Sequence, residues 1–193
     1  MNSARDSAPT LDLRVGALAD AVAERTPAPG AGAVTGVTAS LSAALTTMVA
    51  QFSDDEATAD GCQQLQRRLE PLADADTAAY EAYLAAVRLP RDDNSRAAQL
   101  VETLSAATDV PMSLAELAAE VVRHASRLAR DGNPRLRGDA VAAALFGAAA
   151  VRSAAVLVTL NLDDHSAFCD DPRPGRARQL ATEAQAQADG VAA

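Results

Sequence analysis

The segment Leu69-Glu-Pro-Leu-Ala-Asp-Ala-Asp-Thr-Ala-Ala-Tyr-Glu-Ala-Tyr-Leu-Ala-Ala-Val-Arg-Leu-Pro-Arg91 decides how the chain is read. At helical period one face collects Leu69, Leu72, Asp76, Tyr80, Tyr83 and Val87. Every member of that stripe is apolar or aromatic except Asp76. Asp74 falls on the opposite face with Thr77, Ala78, Glu81 and Ala85, where water can solvate it. A carboxylate among apolar groups is costly unless it is paired, hydrogen-bonded or protonated. Asp76 is therefore either satisfied by a structural donor or set in a cleft where it does chemistry.

Outward from that segment the pattern is helical throughout. The 193 residues suffice for one domain with a real core. Hydrophobic residues make up 49% of the chain but aromatics only 3%, so the apolar mass is Ala, Val and Leu. Ala-rich runs favour helix, and small side chains let helix axes approach closely. Thr10 can cap a first helix bearing Leu11, Val15, Leu18 and Val22. Thr26-Pro-Ala-Pro-Gly-Ala-Gly-Ala33 makes a defined turn. A second helix, Val34 to Phe52, has no charge on any face and must be enclosed, either centrally or in an oligomer interface. Ser53-Asp-Asp-Glu56 caps a third helix, which Pro71 kinks or restarts. Leu89-Pro90 ends it. Asn94 or Ser95 caps a fourth helix to about Thr108, and Val110-Pro111 marks a break or kink. A fifth helix carries Leu114, Leu117, Val121, His124 and Leu128, with Gly132 at its C′ position. Asp139 can cap a long apolar sixth helix to about Leu160, and Arg176 to Ala188 reads as a polar terminal helix prone to fraying. No strand pattern competes. The expected class is all-α, a bundle of about six to seven helices, with its core at about 10–165 and a polar segment at 166–193.

Charge and composition remove several function classes. The net charge of −9, from 26 acidic and 17 basic residues, argues against nucleic acid or an anionic membrane surface as partner. The run Ala140 to Leu162 is interrupted by Arg152 and Ser153 and reads as a core helix rather than a membrane span. No signal segment opens the chain, and a cytoplasmic protein is expected. No His, Cys and carboxylate set has metal-ligand spacing, so no metal is expected. Gly30 and Gly32, just before a helix, can present backbone N–H groups to an anion, although a tight turn explains them equally. Asp139 is a helix cap or a catalytic candidate. Asn161 lies among Leu157, Val158, Leu160 and Leu162, so its amide needs a partner, either structural or a ligand.

Taken in order, these pieces resemble the cyclodeaminase/cyclohydrolase family of folate one-carbon metabolism. The segments that carry the resemblance are Thr26-Pro-Ala-Pro-Gly-Ala-Gly-Ala33, Asp76-Thr-Ala-Ala-Tyr80 with Leu89-Pro90-Arg91, Val110-Pro111, Gly132-Asn133-Pro134 with Asp139-Ala140, and Asn161-Leu162. The resemblance implies an α-helical homodimer with a folate cleft near the subunit interface and a tetrahydrofolate derivative as substrate. It also implies no cofactor beyond the folate, and room for a separate formiminotransferase as partner. The reaction would be cyclodeamination or hydrolysis at the N5/N10 bridge. Asp76 is then the prime catalytic acid with Asp139 beside it, and Gly30, Gly32, Tyr80, Arg91, Asn133 and Asn161 surround the substrate. Ala31 and Ala33 stand where the family's turn usually has Gly and Ser, and Arg91 where it usually has Lys. The alternatives are a relative acting on another cyclic amidine or imine, or a non-catalytic helical dimer that binds a small molecule or a partner enzyme.

Overall fold

The structure is a computed structural model and describes residues 10–12, 14–163 and 165–193; the stretch before Thr10 lies outside them. Seven α-helices follow in order among the described residues. They are α1 (Val15–Ala23), α2 (Ala31–Gln51), α3 (Glu56–Leu69), α4 (Leu72–Val87), α5 (Arg96–Asp131), α6 (Arg137–Leu162) and α7 (Arg173–Ala192).

Small residues set the spacing of this bundle. A Cβ on Gly36 would come within 3.3 Å of Ala73, and one on Gly147 within 2.7 Å of Val122 Cγ2. Those approaches draw α2 against α4 and α6 against α5. α2 and α6 run antiparallel: Thr35 pairs with Ser153 through their hydroxyls at 2.9 Å, and Ser42 Oγ donates to the Ala143 carbonyl at 2.8 Å. Both helices are long and apolar enough to cross a membrane by length and composition, yet they lie side by side in the bundle. Two further hydroxyls of α2 are satisfied along the helix itself, Thr46 donating to the Ser42 carbonyl and Thr47 to that of Ala43.

The two prolines behave oppositely. Pro71 sits at the boundary where α3 ends and α4 begins, so the expected third helix is two. Pro111 lies inside α5, and the expected fourth and fifth helices are one of 36 residues. Pro71 falls in a first turn, where a missing N–H goes unnoticed. Pro111 is fully buried among core positions such as Leu114 and Ala115, and that packing outweighs a broken helical hydrogen bond.

Both ends of the chain also differ from the sequence reading. α7 is no frayed polar helix: Ala177, Leu180, Ala184, Ala188 and Val191 are buried against α5 and α6. Arg173 locks its start, donating to Asp171, Asp109 and the Ser105 carbonyl. With three alanines in the stripe its amphipathic signal is faint. α1 buries none of its residues. Thr10 caps nothing there; its N–H and hydroxyl both donate to Asp74 Oδ1, so Asp74 is tied to the N-terminal turn rather than simply solvated.

Candidate active site

The Pro27–Gly30 turn delivers the chain into α2 with Gly30 as its N-terminal cap. α4 crosses that end, and Asp76 points its carboxyl at the first turn of α2. The approach is so close that a Cβ built on Gly32 would lie 2.0 Å from Asp76 Cγ. Only a residue without a side chain leaves the acid this position. Around it is a cleft of about 240 Å³ whose walls include Tyr80, Tyr83, Leu104, Pro111 and Leu157.

Asp76 is half-buried, and among the described residues no hydrogen bond reaches its carboxyl. No Lys or Arg lines the cleft. Burial therefore acts on the acid unopposed and raises its pKa above the ordinary 3.8. Asn161, near the end of α6, lines the same cleft, and its Nδ2 donates to the Ala107 carbonyl at 3.3 Å. An acid with a raised pKa, an amide and two phenol rings around an apolar slot can hold a flat heterocycle and move a proton on it.

Of the residues singled out from sequence, Asp76, Gly30, Gly32, Tyr80 and Asn161 share this cleft. Arg91, Asn133 and Asp139 are not among its lining residues. Arg91 is exposed in the α4–α5 loop. Asn133 is bound at the far end of α2: its N–H donates to Ser53 Oγ at 2.9 Å and its Nδ2 to the Phe52 carbonyl at 2.8 Å. Asp139 lies in the first turn of α6, separated from Asn161 by roughly 33 Å of helix. It makes no capping bond there.

The stripe on α4 is also turned from the expected one. Ala73 and Ala86 are buried, whereas Val87 is exposed and Tyr80 is 41% exposed. Gly36 accepts Ala73 as the contact, and Tyr80 and Tyr83 are left at the rim, where they line the cleft. Tyr83, Leu104, Ala107 and Pro111 are lining residues that sequence reasoning did not assign. Tyr83 had a signal, standing seven residues from Asp76. Ala107 had none. No cluster of three or more His, Cys, Asp or Glu able to hold a metal ion occurs among the described residues.

Comparison with known proteins identifies the family. A family model described as formiminotransferase-cyclodeaminase matches residues 14–170. Formimidoyltransferase-cyclodeaminase of Sus scrofa is 37% identical over 186 residues, 86% of this chain but 34% of the relative. The chain thus spans about a third of the length of that relative. Methenyltetrahydrofolate cyclohydrolase of Methylorubrum extorquens is 31% identical over 79% of this chain and 81% of its own length. The crystal structure of formiminotetrahydrofolate cyclodeaminase from Thermotoga maritima superposes with a TM-score of 0.79 at 27% identity, covering 94% of this chain and 92% of the other. A helical bundle with an acid seated on a glycine at a helix start, matched over most of its length, belongs to the formiminotransferase-cyclodeaminase family.

Proposed function

We propose that this chain is a folate one-carbon enzyme acting at the N5/N10 bridge, as a formiminotetrahydrofolate cyclodeaminase or a methenyltetrahydrofolate cyclohydrolase. The observation that carries the proposal is Asp76, half-buried, without a hydrogen bond or ion pair from the described residues and facing a ligand-sized cleft. In cyclodeamination N10 attacks the formimino carbon, an N10–C bond forms, and the C–N bond to the departing amine breaks. The proton leaving N10 passes through the Asp76 carboxyl to that amine, which departs as ammonia. In hydrolysis the same carboxylate takes a proton from the water that attacks the methenyl carbon and passes it to one bridge nitrogen as that C–N bond breaks, the second water proton leaving to solvent as the formyl group forms. A carboxyl with a pKa raised toward neutrality suits both transfers. The test is the near-ultraviolet absorbance of 5,10-methenyltetrahydrofolate with purified protein. Decay or formation above the uncatalysed rate supports the reading, and no change with either substrate overturns it.

The second part of the proposal is a homodimer that completes the site. α2 was expected to be enclosed, yet Leu41 is 61% exposed, and on the adjacent α6 Phe146 and Leu160 are 52% and 67% exposed. Apolar side chains on two neighbouring helices form a face that a second copy can cover. A two-fold axis across that face sets the helices of the two protomers antiparallel. The end of α6 bearing Asp139 then lies beside the partner's Asp76 cleft. This accounts for Asp139 and Asn133 standing at the wrong end of their own protomer. Light scattering should report a dimer, and Leu41→Glu should give monomers. Mixing inactive D76N and D139N chains should restore part of the activity, since one of the two sites in each mixed dimer is intact. No restoration would place Asp139 outside the site.

A further inference from the structure

Pro111 lies inside α5, and a proline there has no N–H for the carbonyl four residues earlier, while its ring pushes that carbonyl off the helix axis. The carbonyl concerned is Ala107. It is the one that accepts from Asn161 Nδ2, at 3.3 Å, and Ala107, Pro111 and Asn161 all line the cleft beside Asp76. A carbonyl only accepts, so the amide limb facing it must be the NH₂, and this fixes the orientation of the group. The other limb, Oδ1, is then an acceptor.

We propose that Pro111 is a positioning residue. By withholding its own N–H it leaves the Ala107 carbonyl to Asn161, which locks the Asn161 amide with Oδ1 toward the cleft as an acceptor for an N–H donor of the bound heterocycle. The inference rests on the reading of this cleft as the substrate site. It adds a selectivity rule: a ligand must present a donor nitrogen to Asn161, and an analogue with an acceptor at that point is refused. The fold has used a backbone defect, costly anywhere else in a helix, to orient a side chain. The part-buried Ala107 carbonyl, left without the N–H that residue 111 would supply, takes its bond from the Asn161 amide, so the amide is held even with the cleft empty.

Pro111→Val and Pro111→Ala both return an N–H to the helix, and valine keeps most of the ring's bulk. Each should raise KM for 5,10-methenyltetrahydrofolate about tenfold, the scale of one lost neutral hydrogen bond, with kcat little changed. Asn161→Ala should do the same, and the P111V/N161A double variant should be no worse than N161A alone. Additive losses would overturn the proposal and make Pro111 a packing residue. A second readout needs no activity. In protein labelled with ¹⁵N-asparagine, the Asn161 side-chain NH₂ should exchange slowly in the parent and rapidly in P111V. Rapid exchange in the parent, or equal protection in both, would also overturn it. If the parent acts on no folate, the functional reading fails, and the exchange experiment still decides the positioning.

Discussion

The two ends of α2 present opposite treatments of the same chemistry. At its C-terminal end Asp55 caps α3, accepting from the Thr58 N–H at 3.1 Å and from Arg127 at 2.7 Å. Arg127 also bonds the Thr58 hydroxyl. The Arg127 guanidinium, together with the bonds from Thr58, holds the Asp55 carboxyl down to about 2. Asn133 and Ser53 close the remaining backbone groups there. Some 30 Å away along the helix, Asp76 receives no bond from the described residues, and burial pushes its pKa up. One acid is fully used by the fold and the other is left unused by it. A fold that satisfies polar groups so thoroughly at one end leaves a carboxyl open at the other for a ligand.

The sharpest way to break this comparison is to remove each acid. Asp76→Asn keeps the shape and abolishes proton transfer, so turnover should fall by roughly two to four orders of magnitude. Its melting temperature should hold or rise, because burial favours the neutral amide. A variant that melts early but retains its specific activity while folded would make Asp76 structural.

Gly32→Ala approaches the same site from α2. Its methyl group would occupy the space of the Asp76 carboxyl, 2.0 Å from Cγ. The acid must swing away, and a displacement of that size costs about a hundredfold in rate. Turnover at unchanged folded fraction is the measurement; wild-type turnover would show that the carboxyl does not work from where it stands.

How much of this was legible follows from what each residue leaves in a sequence. Asp76 was visible because a lone acid on an apolar stripe breaks a period. A cap within Ser53-Asp-Asp-Glu56 was visible because caps are local, and the structure assigns it to Asp55. The phase of α4 was not, because it depends on Gly36 lying against Ala73 across the bundle, and two residues without large side chains leave no periodic mark. The continuity of α5 was hidden for a related reason: proline reads as a break, and only tertiary burial reveals that the helix runs through it. Gly132 ends α5 as expected but with φ −84°. Glycine is needed there because a Cβ would meet the Leu128 carbonyl at 2.6 Å. Asp139 and Asn133 stand away from the cleft of their own chain, and a linear order carries no information on which elements, or which copy of the chain, would bring such residues to it.

Smaller effects belong to the closed end. Asp55→Ala removes a helix cap and a partly exposed ion pair, and should destabilise by about 1–2 kcal/mol. Asn133→Ala, which frees the Phe52 carbonyl, should destabilise by about 1 kcal/mol. Chemical denaturation measures both. Neither stability loss should change chemistry at Asp76 in the folded molecule, and a matching fall in kcat for D55A would mean that the two ends of α2 are coupled.

The smallest expected effect is the most discriminating, because the two acids must respond to pH with opposite signs. Asp55 has a folded pKa of about 2 against 3.8 for the ordinary group. In that window the unfolded chain binds more protons than the native one, so its stabilisation is present above 3.8 and is lost as pH falls through the folded value. Asp76 is displaced upward from 3.8, so above that pH the native state holds the extra proton. Its favourable contribution is complete below the ordinary value and is lost as pH rises through the folded one. Asp55→Asn should therefore narrow the gap to the parent as the solution is acidified. Asp76→Asn should gain on the parent as pH is raised from about 4 to about 7. Melting temperatures of the three proteins from about pH 2 to about pH 7 give the comparison directly. Parallel curves for D76N and the parent would mean that Asp76 titrates like a solvated carboxyl, and the contrast between the two ends of α2 would be gone.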